Sequence, residues 1–562
     1  MELNPIIARL LSARGIEADA YEAFFDPSLK RLTPAMSIPG VKEAVEVILA
    51  NVEARRKIVV FGDYDADGVC ACAILVKTIQ RLGAPVAAFI PHRFKEGYGM
   101  TPASIARLLE EHPDVSLVIT VDNGISSPME VAQLRGKGIS VVVTDHHLPG
   151  DELPSADALV NPRVASAPGC ECLCGAGVAF FLASALVAEA SARGLYSGSK
   201  FGGPLLILAG LATVADLMPL TDQNRILASQ ALAHFSHFAP IGLSELMAHA
   251  ARRPMDCVTS RDFAFLLAPR INAAGRVASA MEAYDLLMAS DRETARSLAV
   301  HVDSRNGERK GEEMLMHEEA KKQIPDPIPA AVVVGDDKWN SGVAGIVAAR
   351  IMEEVRVPVA VVTGDHGSAR APDGYNVRDA LAAAADALDR FGGHAAAGGF
   401  TVLPGRLDEF REKFTAACSA QREANASSIA AALSPEPDAW LDPSDITMDF
   451  YSQLSRLEPF GEGNPEPVFG IRDVAFSDIR LLGQEGRHAA FVFSNRAIPR
   501  AVWWNAGART EELRAHSAGR FDILFTLVLS DFGEEEHLEL RLTDVRTHSF
   551  ETVQSTKQGE RQ

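Results

Sequence analysis

Cysteine is scarce in this sequence, and the few cysteines form no framework. The 562 residues contain seven cysteines, an odd number at irregular spacing. This argues against a secreted, disulfide-stapled domain and predicts a reducing, cytoplasmic location. Cys170, Cys172 and Cys174 alternate along the chain, but zinc sites usually combine C-x2-C spacing with a second, distant pair of ligands. The sequence has no such pair, so a zinc site is not expected.

Long hydrophobic runs and an excess of positive charge are also missing. The longest apolar stretch, residues 204–218, contains Asp216 and is too short to cross a bilayer. MELNPIIARL lacks the basic and apolar regions of a signal peptide, so we expect no membrane association. The formal net charge of -20 argues against a protein that is basic all over, although a local basic groove can still bind nucleic acid.

The apolar runs that are present predict the fold class. With 47% hydrophobic and 23% charged residues, the chain is globular. From residue 58, short β-branched runs alternate with helical segments, which predicts a parallel α/β sheet covered on both faces. A second α/β module starts at residue 330, and strand-like alternation after residue 458 predicts a small OB-like β-barrel.

These patterns predict seven regions along the chain. We expect an N-terminal helical segment, a parallel-sheet α/β domain, a connecting helix, a smaller α/β domain, a linker, a β-barrel and a disordered tail, at residues 1–55, 56–282, 283–325, 326–415, 416–445, 446–550 and 551–562.

Acidic side chains follow several of the predicted strands. The run IVVF leads into Asp63, Asp65 and Asp67, and Asp122 ends the run LVITVD. A third run, VVVT, leads into Asp145-His146-His147, and Asp216 follows the apolar run 204–215. Because ligands bind beyond the carboxyl ends of parallel strands, the fold would bring these side chains to one crevice.

Clustered carboxylates at neutral pH need cations, since like charges otherwise force protonation. Carboxylates suit hard divalent ions, and an added imidazole favours Mn²⁺ or a similar ion. Two such ions, about 3.5–4 Å apart, can activate water and stabilise the leaving oxygen of a phosphoryl group. For any single aspartate, a helix N-cap is an equally good interpretation. Three clusters at three strand ends favour the metal site.

The order of these acidic motifs resembles a known superfamily. GDYDADGV, TVDNGI, VVVTDHH and ATVADLMPL are similar to the four motifs of the DHH phosphoesterases. Further segments resemble the bacterial RecJ family of single-strand-specific 5′→3′ DNA exonucleases: NPIIARLLSARGI, CGAGVAF, LAPRINAAGRV, GVAGIVAARI and PFGEGNPEPVF. The resemblance implies a DHH domain, a DHHA1 domain joined to it by a long helix, and a C-terminal OB-fold.

The resemblance also implies roles for individual residues. Five positions match metal ligands, with Asp122 as the bridging carboxylate: Asp65, Asp67, Asp122, His146 and Asp216. Three match catalytic positions, His147 beside the scissile phosphate and two acids behind the ligands: Asp63, Asp145 and His147. Seven match substrate-binding positions: Arg93, Arg270, Asn272, Arg276, Ser368, Arg370 and His394. Asn340 and Ala371 depart from the family pattern, which puts a DNA contact in doubt.

Two further groups have alternative interpretations. The predicted long helix carries Arg305, Asn306, Arg309 and Lys310 beside several glutamates, which fits a solvated salt-bridge face or a DNA track. The C-terminal module carries aromatic residues that either fill the barrel or stack on bases, and for each one core packing is the first expectation: Phe491, Phe493, Trp503 and Trp504. Four residues there are candidates to follow a DNA backbone: Arg480, Arg487, His488 and Arg500.

The sequence therefore predicts an exonuclease that uses two Mn²⁺ or Mg²⁺ ions and degrades single-stranded DNA 5′→3′ to nucleoside 5′-monophosphates in recombination and repair. A phosphodiesterase of short oligonucleotides or cyclic dinucleotides is one alternative, and a non-catalytic single-strand-binding protein is another. Single-strand-binding protein and a RecQ-type helicase are partners that only the resemblance suggests.

Overall fold

A computed structural model describes residues 3–97, 99–198, 202–251, 258–433, 436–483, 486–515, 519–530 and 536–547. The predicted disordered tail, 551–562, lies outside the described residues. The chain divides into two compact units. The larger unit comprises residues 27–435 and 461–463, and the smaller comprises residues 1–26, 436–460 and 464–562.

Helices account for more of the described chain than strands do. Up to residue 251 they are α1 Pro5–Ala13, α2 Tyr21–Phe25, α3 Val41–Glu53, α4 Ala66–Arg81, α5 Arg93–Glu96, α6 Pro102–Glu111, α7 Pro128–Gly136, α8 Gly175–Ala192, α9 Gly202–Ala215, α10 Asp222–Phe238 and α11 Ile241–Ala251. The remainder are α12 Ser260–Asp262, α13 Ala268–Val277, α14 Met281–Met288, α15 Arg292–Lys321, α16 Ala344–Val355, α17 Val377–Ala383, α18 Leu407–Ala424, α19 Ala426–Leu433, α20 Met448–Ser455 and α21 Gly507–Ala515.

A five-stranded, wholly parallel sheet lies in the first half of the larger unit. Its order is β2-β1-β3-β4-β5, with β1 Lys57–Phe61, β2 Val86–Phe89, β3 Val115–Val121, β4 Ser140–Thr144 and β5 Ala158–Val160. Alternate residues of β1 enter separate cores: Ile58 and Val60 face one cluster, and Val59 and Phe61 face another. Burial of both faces explains the continuous apolar runs and confirms the predicted parallel sheet.

Helix α8 is the most apolar long helix of this core. Among the described residues it alone is long and apolar enough to cross a membrane, yet 67% of it is buried within the protein. It packs against α4 and α9, so its composition is that of a helix surrounded by other helices. The longest apolar stretch was expected at residues 204–218, and α8 was not predicted to be the apolar long helix.

A second sheet follows a long helix. Its order is β6-β7-β8-β10-β9, in which β6 and β7 are parallel and the other pairs antiparallel. Its strands are β6 Val332–Gly335, β7 Val359–Thr363, β8 His366–Arg370, β9 Leu388–Gly393 and β10 Ala397–Val402.

The connecting helix predicted at 283–325 is two helices, because the chain turns extended at Ala289 (ψ 133°). Helix α15 then begins after Asp291, whose side chain accepts a hydrogen bond from Thr294 N at 2.9 Å, as an N-cap does. The predicted linker 416–445 likewise contains the end of α18 and the whole of α19.

The smaller unit has a seven-stranded sheet of order β11-β12-β16-β17-β15-β14-β13. Its strands are β11 Ala439–Trp440, β12 Phe469–Val474, β13 Phe476–Leu482, β14 His488–Phe493, β15 Ala501–Trp503, β16 Phe521–Ser530 and β17 His537–Thr547. Its core includes Ile7, Leu10 and Leu11 of α1, whereas Val41 and Ile48 of α3 lie in the core of the larger unit. The segment predicted at 1–55 is therefore divided between the two units.

The aromatic residues of this barrel-like unit separate as the core interpretation expects. Phe491, Phe493 and Trp503 are buried, whereas Trp504 is 55% exposed and meets the ring of His488 edge-on. Trp504 is thus the single member of the four that has a free surface.

Candidate metal centre and substrate cavity

Three neighbouring strands deliver acidic side chains to one edge of the parallel sheet. Asp63 follows β1, Asp122 follows β3 and Asp145 follows β4, and these strands are adjacent in the order β1-β3-β4. Asp65 is the N-cap of α4 and accepts hydrogen bonds from Asp67 N and Gly68 N, each at 3.0 Å. Asp65 is therefore a helix N-cap that also lies in the acidic loop.

The side chains form three groups whose potential ligand atoms lie within 4.8 Å of one another. The groups are Asp63/Asp65/Asp122, Asp67/His146/Asp216 and Asp122/His146/His147. Asp122 and His146 each occur in two of them, and of the two only Asp122 has the two oxygens that a bridging ligand needs. Asp63, which the resemblance places behind the ligands, lies among potential ligand atoms. Asp145 belongs to none of these groups.

Burial makes this cluster electrostatically unfavourable on its own. Burial and the neighbouring aspartates raise the pKa of Asp216 to about 9 and that of Asp67 to about 6. The same causes hold the pKa values of Asp63 and Asp122 well above the ordinary carboxyl value. The buried Oδ1 of Asp63 has no hydrogen-bond donor within the described ranges. A buried carboxylate oxygen without a donor and surrounded by like charges fits a cation site.

The pKa values of the two histidines are shifted in opposite directions. Burial, and then the charge of His147, lower the pKa of His146 to about 3, which leaves the neutral imidazole that metals bind. Its Nε2 lies 3.0 Å from Asp122 Oδ1 and 3.6 Å from Asp216 Oδ2. Burial opposes the charged form of His147 too, but its hydrogen bond with Asp145 (Nδ1 to Oδ1, 2.8 Å) outweighs burial and raises its pKa.

Asp145 orients the segment that carries His146 and His147. Its carboxylate accepts hydrogen bonds from His146 N at 2.7 Å and Ile125 N at 2.9 Å in addition to the contact with His147. Burial favours the neutral acid, but these hydrogen bonds and His147 lower the pKa of Asp145. Asp145 is therefore the anionic partner that holds His147, while the ligand groups lie beside it.

The CGAGVAF segment supports the cluster. The backbone N–H groups of Gly175 and Ala176, at the start of α8, donate to Asp67 at 2.6 and 2.7 Å. A Cβ on Gly175 would lie 2.5 Å from Asp122 Cβ, so only glycine allows this close approach. Gly175 was visible in the sequence motif, but the reason for a glycine there, the close approach to Asp122, depends on the fold.

The APRINAAGR segment supports the same loop, although the resemblance assigns it to the substrate. Asn272 Oδ1 accepts from Ala66 N at 2.7 Å, and a Cβ on Gly275 would lie 2.4 Å from Tyr64 O. Arg270 donates to Asp303 of α15 at 2.7 Å and to Leu266 O at 2.8 Å. Of the three predicted residues, Arg276 alone lines the adjoining cavity.

That cavity, of about 1160 Å³, adjoins the acidic loop through Tyr64. Its basic and polar lining includes Arg93, Arg276, His366, Ser368, Arg370 and Arg390. Arg93 lies over the Tyr64 ring at 5.0 Å, and burial, then the charge of Arg93, lower the pKa of Arg276 to about 10. His394 is exposed in the turn after β9 and is not among the lining residues.

Arg370 is the half-buried cation at the back of this cavity. It donates to Ser368 Oγ at 3.2 Å and to Ala369 O at 2.8 Å, and burial lowers its pKa. A Cβ on Gly345 of the GVAGIVAARI segment would lie 2.7 Å from Arg370 Nη2. Gly345 therefore makes room for the guanidinium.

Sequence reasoning missed Arg390 and Thr401, which face the cavity from neighbouring strands, with Arg390 Nε donating to Thr401 Oγ1 at 3.2 Å. The sequence feature that could have identified them is the alternation of side-chain direction along β9 and β10. The two departures from the family pattern are outside the lining. Asn340 donates to Glu312 at 2.5 Å and accepts from Gly342 N at 2.7 Å.

The remaining candidates have ordinary contacts. Arg305 pairs with Glu282 and Glu308, and Arg309 with Glu313, which favours the salt-bridge interpretation of α15, while Lys310 is exposed. Arg480 pairs with Asp478, and Arg487 and Arg500 lie in the loops flanking β14 and β15. Within the described residues, no potential metal-ligand group contains a cysteine.

The fold and this site define a DHH-type protein, and family models agree. The DHH family N-terminal domain matches residues 57–199, the DHHA1 domain matches 328–420 and the RecJ OB domain matches 437–544. The single-stranded-DNA-specific exonuclease RecJ of Bacillus subtilis is 31% identical and covers 98% of this chain and 69% of its own. That of Escherichia coli is 34% identical and covers 83% of each chain.

Solved structures agree. The crystal structure of RecJ in complex with Mn²⁺ from Thermus thermophilus has a TM-score of 0.81 at 30% identity, covering 97% of this chain and 76% of that one. A Mg²⁺ complex from the same organism has a TM-score of 0.74 at 28% identity and covers 97% and 75%. The chain belongs to the RecJ family.

Proposed function

We propose that this chain is a metal-dependent exonuclease that degrades single-stranded DNA 5′→3′ to nucleoside 5′-monophosphates, in DNA recombination and repair. One observation carries the proposal. A cavity lined by several arginines begins at Tyr64, the residue between two acids of the candidate metal site. A single bound strand could then have a phosphodiester at the acids and its charged end in the cavity.

The chain offers ligands for two divalent ions. Asp63, Asp65 and Asp122 would hold one ion, and Asp67, His146 and Asp216 the other, with Asp122 between them. Mn²⁺ or Mg²⁺ fits this oxygen-rich set with one imidazole. When bound, such a pair supplies water activation and charge stabilisation for phosphodiester hydrolysis.

His147 is placed to handle a proton. Its side chain is 44% exposed, whereas Asp145 behind it is buried, and Asp145 favours the protonated imidazole. With Nδ1 held by Asp145, His147 would donate a proton toward the leaving 3′-oxygen from Nε2. Asp145 is thereby a positioning residue, and His147 is the residue that meets the substrate.

The direction of degradation follows from the cavity. A terminal 5′-phosphate carries more charge than an internal diester and offers three oxygens to arginine forks and a hydroxyl. Arg93, Arg370 and Ser368 supply these donors. A strand held by its 5′-phosphate would place its first diester at the acids, which gives 5′→3′ removal of mononucleotides.

The OB domain match at residues 437–544 favours a long-strand substrate over the alternatives of a short oligonucleotide or a cyclic dinucleotide. Complete retention of the acids argues against a non-catalytic strand-binding protein. A cytoplasmic location, and single-strand-binding protein and a RecQ-type helicase as partners, remain predictions.

The test is digestion of end-labelled single- and double-stranded DNA with added Mn²⁺ or Mg²⁺. We expect a 5′-label to be released at once as mononucleotide from single strands, and a 3′-label to be retained in progressively shorter strands. Early release of a 3′-labelled mononucleotide, or equal rates on duplex, would contradict the proposal.

A further inference from the structure

The acidic cluster is partly accessible among the residues described. Asp67 and Asp122 have side chains that are 1% and 3% exposed, whereas those of Asp216 and His147 are 29% and 44% exposed. Asp216 and His147 therefore mark an opening through which a phosphodiester can reach the cluster. Residues around this opening contribute to how the strand lies as it crosses the site.

Arg163 is fixed next to this opening by the segment that follows β5. Val160 O accepts from Asp145 N at 3.0 Å, and Asn161 Nδ2 donates to His147 O at 2.9 Å. Arg163 N in turn donates to Asn161 Oδ1 at 2.8 Å. These three contacts tie the Val160–Arg163 backbone to the DHH segment. Arg163 lies at the carboxyl edge of the same sheet that carries the acids.

The guanidinium of Arg163 is exposed. Within the part of the chain that the structure describes, it has no ion pair or side-chain hydrogen bond. Burial is the main cause of the raised pKa of Asp216 and of the lowered pKa of His146, and the charge of Arg163 opposes the first shift and adds to the second. An arginine close to acids that would hold metal ions is suited to a phosphate oxygen of the substrate.

Arg93 and Arg163 lie on opposite sides of the cluster. Arg93 follows β2 and lines the cavity, whereas Arg163 follows β5, and β2 and β5 are the two edge strands of the sheet, with the acid-bearing strands β1, β3 and β4 between them. With the strand's 5′ end in the cavity, the part of the strand beyond the scissile bond lies toward Arg163.

We propose that Arg163 binds the phosphodiester on the 3′ side of the scissile one, and so keeps the continuing strand aligned over the acids. This inference rests on the proposed function. It assigns a substrate contact to a residue that neither the acidic motifs nor the cavity includes. Its sequence signal was an arginine after the fifth strand, at the same sheet edge as the acids.

The test combines a protein change with a substrate change. The substrate is a 5′-phosphorylated single strand whose second linkage is either a normal diester or an uncharged methylphosphonate, and kcat/KM is measured for release of the first nucleotide. A charged hydrogen bond is worth roughly tenfold or more in rate. We expect the neutral linkage to slow the wild type by about that factor.

Arg163→Ala should slow the normal substrate by a similar factor, with little further loss on the methylphosphonate. Arg163→Lys, which keeps the charge, should recover most of the rate. The control is Arg135→Ala, because Arg135 is an exposed arginine near the other end of β5, paired with Asp157. It should leave both substrates unaffected. Equal slowing of both substrates by Arg163→Ala, or no slowing, would overturn the inference.

Binding separates this inference from the proposed function. Fluorescence anisotropy is measured with strands whose first linkage is a 3′-methylenephosphonate, which has no leaving oxygen, and whose second linkage is charged or neutral. The proposed function fails if the wild type binds these strands but cleaves no strand that has a normal first linkage. Even then, a loss of affinity in Arg163→Ala for the charged linkage alone would support the Arg163 contact. If the wild type cleaves but Arg163→Ala does not discriminate between linkages in either assay, only the Arg163 contact fails.

Discussion

Replacing Arg370 by alanine tests how the chain end is recognised. Arg370 is half-buried, donates hydrogen bonds to Ser368 Oγ and Ala369 O, and has its pKa lowered by burial. Among the residues that the structure describes, no acid pairs with it. A cation held in this way is available for an anion that arrives with the substrate. The change should therefore weaken cleavage of strands with a 5′-phosphate far more than cleavage of strands with a 5′-hydroxyl.

The size of the effect follows from the lost contact. A hydrogen bond to a charged group contributes about 1.5–3 kcal/mol, which corresponds to roughly a 10- to 150-fold loss in kcat/KM. Gly345→Ala should give a smaller loss of the same kind, because its Cβ would lie 2.7 Å from Arg370 Nη2 and displace the guanidinium without removing its charge.

The assay is a comparison of both variants and the wild type on 5′-phosphate and 5′-hydroxyl strands of one sequence. Arg350→Ala is the matched control, since Arg350 lies on the same helix as Gly345 but pairs with Glu313 on the surface. It should leave both rates unchanged. If Arg370→Ala slows the two substrates by the same factor, Arg370 is a general backbone contact and end recognition by this cavity is wrong.

Four further changes test the metal site, its support and the smaller unit. Asp122→Ala should lower the cleavage rate by far more than tenfold without unfolding the protein, because Asp122 belongs to two ligand groups; a rate within tenfold of the wild type would argue against a shared ligand. Asn272→Ala should lower the free energy of unfolding by about 1 kcal/mol, measured by urea denaturation, because it removes the acceptor for Ala66 N. Asn306→Ala removes only a contact within α15 and should keep full cleavage activity. In metal-free protein, the pKa values of Asp67 (about 6) and Asp216 (about 9) are raised, so the free energy of unfolding should fall as the pH rises from about 4 to 9. The gain in Tm on adding Mn²⁺ should therefore be larger near pH 8.5 than near pH 6. An equal gain at the two pH values would contradict the electrostatic account. A chain of residues 27–435 should bind long single strands more weakly than the full chain while hydrolysing at a similar rate at saturation, and unchanged affinity would exclude a role of the smaller unit in binding.

The sequence was sufficient to predict the parallel sheet and the acidic edge. Both depend on local patterns: continuous β-branched runs of the kind that pack on both faces, and acids directly after them. The cluster at the ends of β1, β3 and β4 was predictable because parallel strands present their carboxyl ends together. The same reasoning could not place Asp63 among the ligand atoms, since that depends on side-chain directions in the Asp63–Asp67 loop.

Long-range contacts explain most of what sequence reasoning missed. Residues 3–26 pack with a unit that begins more than 400 residues later, and their own amphipathic pattern does not identify the partner. Arg270 and Asn272 resemble substrate ligands in composition, yet their contacts are to Asp303 and Ala66. A single sequence shows that a polar residue is present, but not whether it faces the substrate or supports the residue that does.

The glycines beside the acids show how the fold sustains a cluster that repels itself. Gly175 lets the start of α8 approach Asp122, and the N–H groups there neutralise part of the charge of Asp67. Gly275 lets α13 close on Tyr64, while Asn272 of the same helix holds Ala66. Each contact fixes one carboxylate or its loop while leaving other oxygens without donors, as at Asp63 Oδ1. The backbone thus holds the acids in place, and their remaining charge is left for cations to neutralise, which is why binding of metal should couple to stability as well as to cleavage.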